Sequence, residues 1–209
     1  MTGKSNNAAQ FERVVFFSDA VFAIAITLLV IEIHVPHVAA HTDSALAFAL
    51  LGLLPKYIGF VVSFFVIGRF WVGHHRLCGH LAKADDGLIS RNLLFLMLIA
   101  FGPFPTALLS EYPDSRVAIG VYAGWLILAG IANHSMSAYA NKHRELWVSG
   151  ETPAVFARLL KISWLPVIIG VAALAFGLLS PMLAMIPLIG APVIMWAFVK
   201  WIVEAKPAA

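Results

Sequence analysis

Residues 13–32 read RVVFFSDAVFAIAITLLVIE, and the fold turns on them. The stretch is apolar almost throughout and long enough for a membrane helix, which needs about 20 such residues. Yet it carries Arg13, Ser18 and Asp19 at one end and Glu32 at the other. A charge at the centre of a bilayer costs roughly 2.5–3.5 kcal/mol on insertion scales, so Ser18 and Asp19 need partners or water. Residues three and four apart share a helix face. One stripe therefore runs Ala20, Ile24, Thr27, Leu28, Ile31, apolar with Thr27 as the only hydroxyl in its middle. Asp19 lies well round from that stripe, on a face with Ala23 and Ile26. Ala20, Ala23 and Ala25 are small enough to admit close helix neighbours. The expectation is a first helix wrapped by protein, with one face left for something else.

The rest of the chain has the same character. Hydrophobic residues make up 61% of it and charged residues 12%, against about 45–50% and 25% in soluble domains. This predicts an all-α integral membrane protein. Six spans fit, at about 14–35, 54–77, 88–109, 117–139, 155–179 and 182–203, with a helical outer segment at 44–53 before the second. Together they form one transmembrane domain over 1–209, with no room for a sizeable soluble domain. Pro36, Pro113, Pro153 and Pro181 mark the joints, as proline does at helix ends. The tight joint at Ser180 and Pro181 predicts a hairpin of the last two helices. Cys78 is the only cysteine, so no intrachain disulfide forms. The polar opening MTGKSNNAAQFER leads into a span too long for a secretory signal.

Charge orients the spans. Lys4, Arg13, Arg76, Lys83, Arg91, Lys142, Arg144, Arg158, Lys161, Lys200 and Lys206 fall on one side, and Lys56 and Arg116 on the other, with Glu32, Asp43, Glu111 and Asp114. The basic side is cytoplasmic by the positive-inside rule, so both termini are inside. The net charge of +3 is spread over short loops; it suits membrane anchoring, not a nucleic-acid footprint. Arg69 falls inside the second span and must face protein or water.

Arg13, Ser18, Asp19, Trp71, His74, His75 and Asn92 all fall near the cytoplasmic ends of the first three spans. Anchoring by snorkelling Arg and interfacial Trp explains part of this set, but not an aspartate within a span. A polar network that fixes the first helix explains the aspartate as well. His74, His75 and His80 form a single cluster, with His80 poorly spaced, where a membrane metalloenzyme needs several clusters with carboxylates. No P-loop, dinucleotide fingerprint or nucleophile elbow occurs, so neither an enzyme nor a cofactor is expected. Gly102-Pro103 in the third span, with Pro187, Gly190 and Pro192 in the sixth, leaves a secondary transporter of inverted three-helix halves as the alternative, since such transporters break paired helices at mid-depth. The stripe Ile24, Thr27, Leu28, Ile31 reads either as a packing face or as the wall of a hydrophobic constriction, with Arg13 and Glu32 at its two mouths.

The stretch also resembles the first-helix signature of the transmembrane protein 175 family of potassium channels, in its bacterial form. The Phe-Ser-Asp motif of that family falls on Phe17, Ser18 and Asp19, preceded by Arg13. The likeness continues in FWVGHHRL (70–77), Arg91-Asn92-Leu93 and PFPTALL (103–109). The resemblance implies a homotetramer in a bacterial inner membrane, four copies of the first helix lining a pore for monovalent cations. It implies that Ile24, Leu28 and Ile31 form the constriction, that Thr27 bears on selectivity, and that Phe17, Ser18 and Asp19 bind the second and third spans. Trp71, His74, His75 and Asn92 would complete that structural network, and Glu32 would stand at the outer mouth. On this reading the chain is a passive potassium-selective channel.

Overall fold

The computed structural model describes residues 2–39 and 41–204, with side chains for 9–39 and 41–200; Lys206, counted above for orientation, lies outside the described residues. Every element but a short 3-10 turn and one isolated β-bridge is an α-helix. In chain order they are α1 (Thr2–Ile31), α2 (Asp43–Gly52), α3 (Leu54–Gly79), α4 (Asp86–Phe101), α5 (Pro103–Glu111), α6 (Arg116–Lys142), α7 (Pro153–Ile162), α8 (Leu165–Leu179) and α9 (Pro181–Glu204). α4 with α5, and α7 with α8, each run on as one span, so six helical segments are long and apolar enough to cross a membrane. The chain is a multi-pass membrane protein.

The first span begins earlier than sequence suggested, and it stops at Ile31 instead of Val35. The turn there closes through Ile33 N–H to Val30 O at 3.1 Å, and the chain then leaves helix before Pro36, which disfavours helix in the residue before it. Glu32 therefore sits just past the helix end. α2 occupies the expected outer segment, with Thr42 as its N-cap, the hydroxyl accepting from Ala45 N–H at 3.3 Å.

α6 is the central element. Half of its span window is buried, against 22% for α1. It packs on α4, α5, α7 and α8, and α8 folds back on α9 through Ser180 and Pro181 as a hairpin. α6 and α8 approach closely because Gly170 has no side chain: a Cβ there would meet Ala123 O at 2.9 Å. Such close backbone approach replaces the missing hydrophobic drive for helix association in lipid.

The helical hydrogen bonding of the third span is interrupted at Gly102, and proline chemistry accounts for the interruption. Pro103 has no N–H for Ile99 O, so Gly102 N–H takes that carbonyl instead, at 3.0 Å. Leu98 O then loses its helical donor, and the indole N–H of Trp125 on α6 supplies one at 2.7 Å. Gly102 is required at this contact, since a Cβ would lie 2.8 Å from the Trp125 ring. Pro187 and Pro192 lie within α9 without dividing it. The paired interruption of third and sixth helices expected of a transporter is therefore absent among the described residues. The fifth span instead turns at Ser163 and Trp164.

At the end of the bundle where α3 finishes, two loops are stapled together. Leu81 and Trp147 form the β-bridge, with Ala82 N–H to Leu146 O at 2.8 Å. His80 Nδ1 lies 2.7 Å from Glu151 Oε1. Asp85 caps α4 by accepting from Leu88 N–H at 2.8 Å and also accepts from the Tyr139 hydroxyl at 2.8 Å. Its desolvation pushes its pKa up, but these hydrogen bonds and nearby His143 outweigh that and hold the carboxyl below its ordinary value.

Trp125→Phe keeps the ring and removes the donor to Leu98 O. A buried carbonyl left without its partner costs about 1–3 kcal/mol. The variant is expected to unfold at a lower temperature in detergent than the parent, with unchanged helix content by circular dichroism at low temperature.

Candidate functional site

α1 has two faces of different chemistry. Ser18, Phe22, Ala25 and Leu29, at spacings of four, three and four, are all buried and form the face that meets α3, α4 and α5. The expected α1 was one wrapped by protein with one face left free; the free face is there, but within one chain the wrapping is limited to a single side. It lies at the edge of the bundle, clasped from one side only. Ala20, Ile24, Thr27, Leu28 and Ile31 point away, with Ile24 58%, Leu28 39% and Ile31 62% exposed.

The inward face is held by a buried hydrogen-bond chain whose directions can be deduced. Ser18 Oγ donates its one proton to Val14 O at 2.8 Å, so toward Asn92 it can only accept. Asn92 Nδ2 donates to it at 2.9 Å, which turns Asn92 Oδ1 toward His74 Nε2, 2.9 Å away. His74 must then carry its proton on Nε2, leaving Nδ1 facing the Cys78 sulfur at 3.8 Å. Ser18, His74 and Asn92 are 0%, 1% and 3% exposed. Aromatic rings close around them: Phe22 packs on His74 and Phe95, and Phe70 on Phe95, with centroids 5.6–5.8 Å apart. One turn of α1 thus engages α3 and α4 together.

Asp19 makes a second tie, accepting from Trp71 Nε1–H at 2.8 Å. Trp71 in turn stacks on His75. Of the residues assigned to this network from sequence, Ser18, Asp19, Trp71, His74 and Asn92 are joined by hydrogen bonds and His75 by stacking. Arg13 and Phe17 take no part: both are exposed. Arg13 is six residues before Asp19, which rotates it by about 600° to another side of the helix. Phe17 falls on the outward side, seven residues before Ile24. The sequence reading missed Phe22 and Leu29. Their spacing of four and eleven from Ser18 was the available signal.

Thr27 donates its hydroxyl proton back into α1, to Ile24 O at 2.9 Å, with Ala23 O at 3.0 Å. The oxygen that faces outward therefore offers lone pairs and no proton. Glu32 is exposed and lines a cavity of about 580 Å³ with His34, Lys56 and Glu111; Lys56 and Glu111 form an ion pair at 2.7 Å.

An apolar helix locked by one face and bare on the other, at the edge of a six-span bundle, is the feature that sets this multi-pass membrane protein apart. Residues 13–103 match the family profile described as "Endosomal/lysosomal potassium channel TMEM175". The crystal structure of a lysosomal potassium-selective channel TMEM175 homologue from Chamaesiphon minutus superposes with a TM-score of 0.80 at 34% identity, covering 92% of this chain and 99% of that one. The chain belongs to the TMEM175 family. A protein of Chamaesiphon minutus named as a potassium channel is 46% identical over 61% of this chain and 64% of its own length. One of Streptomyces collinus, also named as a potassium channel, is 45% identical over 57% and 59%. The match thus spans about 60% of the length of these two relatives.

Asn92→Leu removes the bridge between Ser18 and His74 and leaves the buried His74 N–H without an acceptor, at a cost of about 1–3 kcal/mol. Asp19→Ala loses one hydrogen bond to a charged group in a more open place, at about 1.5 kcal/mol. Asn92→Leu is therefore expected to lower the yield and thermal stability of folded protein more than Asp19→Ala, and Asp19→Asn to keep much of the Trp71 bond. Thermal unfolding of the three purified variants checks the order.

Proposed function

We propose that this chain is the subunit of a passive, potassium-selective cation channel. Four copies assemble about an axis, and the outward face of α1 lines the path. The observation that carries the reading is the uncovered stripe of α1, apolar but for Thr27, on a helix that is otherwise clamped in place. One helix cannot enclose a path, and closed rotational symmetry is the economical way to complete it. The names of the two bacterial relatives and of the Chamaesiphon structure support potassium as the permeant ion.

Ile24, Leu28 and Ile31 stand at i, i+4 and i+7, along about 10 Å of helix. Four copies make stacked apolar rings that shed water, and such rings hold ions back unless they widen. Ile24 forms the narrowest ring. Thr27 supports selectivity: with its proton committed to the helix, its oxygen faces the path as an acceptor for a partly dehydrated cation. Ser18, Asp19, Trp71, His74, His75 and Asn92 position α1 and do not meet the ion. Glu32 stands at the outer mouth. The Lys and Arg distribution supports both termini on the cytoplasmic side of a bacterial inner membrane.

Purified protein in liposomes under a potassium gradient is expected to pass potassium without any coupled ion or energy source, and native mass spectrometry to find four subunits. Ile24→Asn is expected to wet the ring, raising single-channel conductance and weakening discrimination among monovalent cations. Thr27→Ala is expected to shift selectivity with a smaller change in conductance. Unchanged current through intact Ile24→Asn tetramers would move the path off α1, and a conducting monomer or dimer would end the tetrameric arrangement.

A further inference from the structure

α3 carries Arg69 and Arg76, seven residues apart and so two turns along one face. Both line a narrow cleft between α3, α6, α7, α8 and α9, with Asn133, Leu159, Ile162 and Met195 among its walls. No aspartate or glutamate lines it. The ion pairs among the described residues, Lys56–Glu111 and His80–Glu151, involve neither arginine. Arg69 is part-buried, and its Nε is enclosed without a hydrogen-bond partner. α7 adds Arg158, four residues before Ile162 and on the same side of that helix.

Arg69 precedes the end of α3 by ten residues, about 15 Å of helix. α3 itself spans about 39 Å, longer than the roughly 30 Å hydrocarbon core. Arg69 therefore lies within the hydrocarbon layer, and Arg76 near its boundary. A guanidinium there is not left without a counter-charge, because the cost is several kcal/mol. The enclosed part of the cleft holds about 40 Å³. That admits a water or an oxygen or two, not a whole headgroup. Water would satisfy Nε but would leave the charge.

We propose that the cleft is a binding site for an anionic phospholipid. A phosphate at its mouth is shared by Arg76 and Arg69, an oxygen reaches the Arg69 Nε, and the acyl chains stay in the bilayer against the part-exposed Leu159 and Ile162. Guanidinium groups suit phosphate because their planar forks donate two parallel hydrogen bonds. Basic clefts between membrane helices on the cytoplasmic side are a recurrent setting for acidic headgroups.

Native mass spectrometry of the purified protein, titrated with phosphatidylglycerol or phosphatidylcholine in detergent, tests this. The parent is expected to retain phosphatidylglycerol selectively. Arg76→Gln, at the exposed rim, should weaken that retention about fivefold, and Arg69→Gln should abolish the selectivity. Arg69→Lys should keep selectivity with weaker retention, and it decides the matter together with Arg76→Gln should Arg69→Gln fail to fold. Equal retention of the two lipids, or variants that retain phosphatidylglycerol as the parent does, would overturn the proposal. So would inorganic phosphate competing fully with the lipid, which would make this a free-anion site. Oligomers that weaken in both variants while lipid retention stays unchanged would assign the counter-charge to a second copy of the chain and overturn it equally.

Discussion

The hydrogen-bond chain from Ser18 through Asn92 to His74 is the constraint on which the arrangement of this protein depends. In water such a chain would be worth little net, because each group has solvent as an alternative partner. Among packed helices in a bilayer there is no such alternative, and polar groups must be satisfied within the protein. Rotating α1 by one residue, about 100°, would carry Ser18 away from Asn92 and leave an amide and an imidazole unpaired. The chain thus sets which face of α1 turns inward, and by the same act which face is left bare. Phe22, Ala25 and Leu29 follow Ser18 into the bundle; Ile24, Leu28 and Ile31 are turned outward by the same rotation.

The acceptors and donors of that chain need rigid supports, and the rest of the bundle supplies them. Asn92 sits on α4, whose hydrogen-bond ladder is interrupted at Gly102 where it continues into α5. The interruption would cost an unpaired carbonyl at Leu98 if Trp125 did not reach across from α6. Near the same level Thr106, Ser63 and Tyr122 join in a second buried set of hydroxyls, at 2.8 and 3.1 Å, linking α5, α3 and α6. α4 and α3 are therefore tied to the central helix independently of α1. His74 and Asn92 are thus held on helices that have ties of their own to the rest of the bundle.

Much of this was legible in the sequence because lipid imposes simple rules. Runs of apolar residues give the spans, prolines give the joints, and an aspartate inside an apolar run announces a partner. Residue types with hydrogen-bonding side chains near the ends of neighbouring spans pointed to Trp71, His74 and Asn92. What was not legible depended on rotation and depth. Arg13 and Phe17 are contiguous with the motif yet fall on other sides of the helix, and only the angle between positions reveals that. The end of α1 at Ile31 was masked by the apolar Ile33 and Val35 that continue past it. The break at Gly102 was visible as Gly-Pro, but its counterpart in the sixth span was no break at all. A proline in a membrane helix can be accommodated by its neighbours, so Pro187 and Pro192 left α9 whole.

The separation of faces also lets one helix carry two surfaces of different chemistry. A helix fixed in position calls for strong, buried ties, whereas the outward face of α1 carries apolar side chains and one threonine. Ser18 and Ile24 are six residues apart, about 9 Å along the axis and about 120° apart around it. The buried ties therefore sit about 9 Å along the helix from Ile24 and on another side of it. Thr27 shows the same economy within a single residue. Its proton is committed to Ile24 O inside the helix, so the hydroxyl stabilises its own backbone on one side and presents only lone pairs on the other. A serine-rich or amide-bearing stripe would present donors as well and would hydrogen-bond to any neighbouring surface. The apolar stripe with one back-bonded threonine does not, and that chemistry leaves the outward face of α1 available for weak, transient contact.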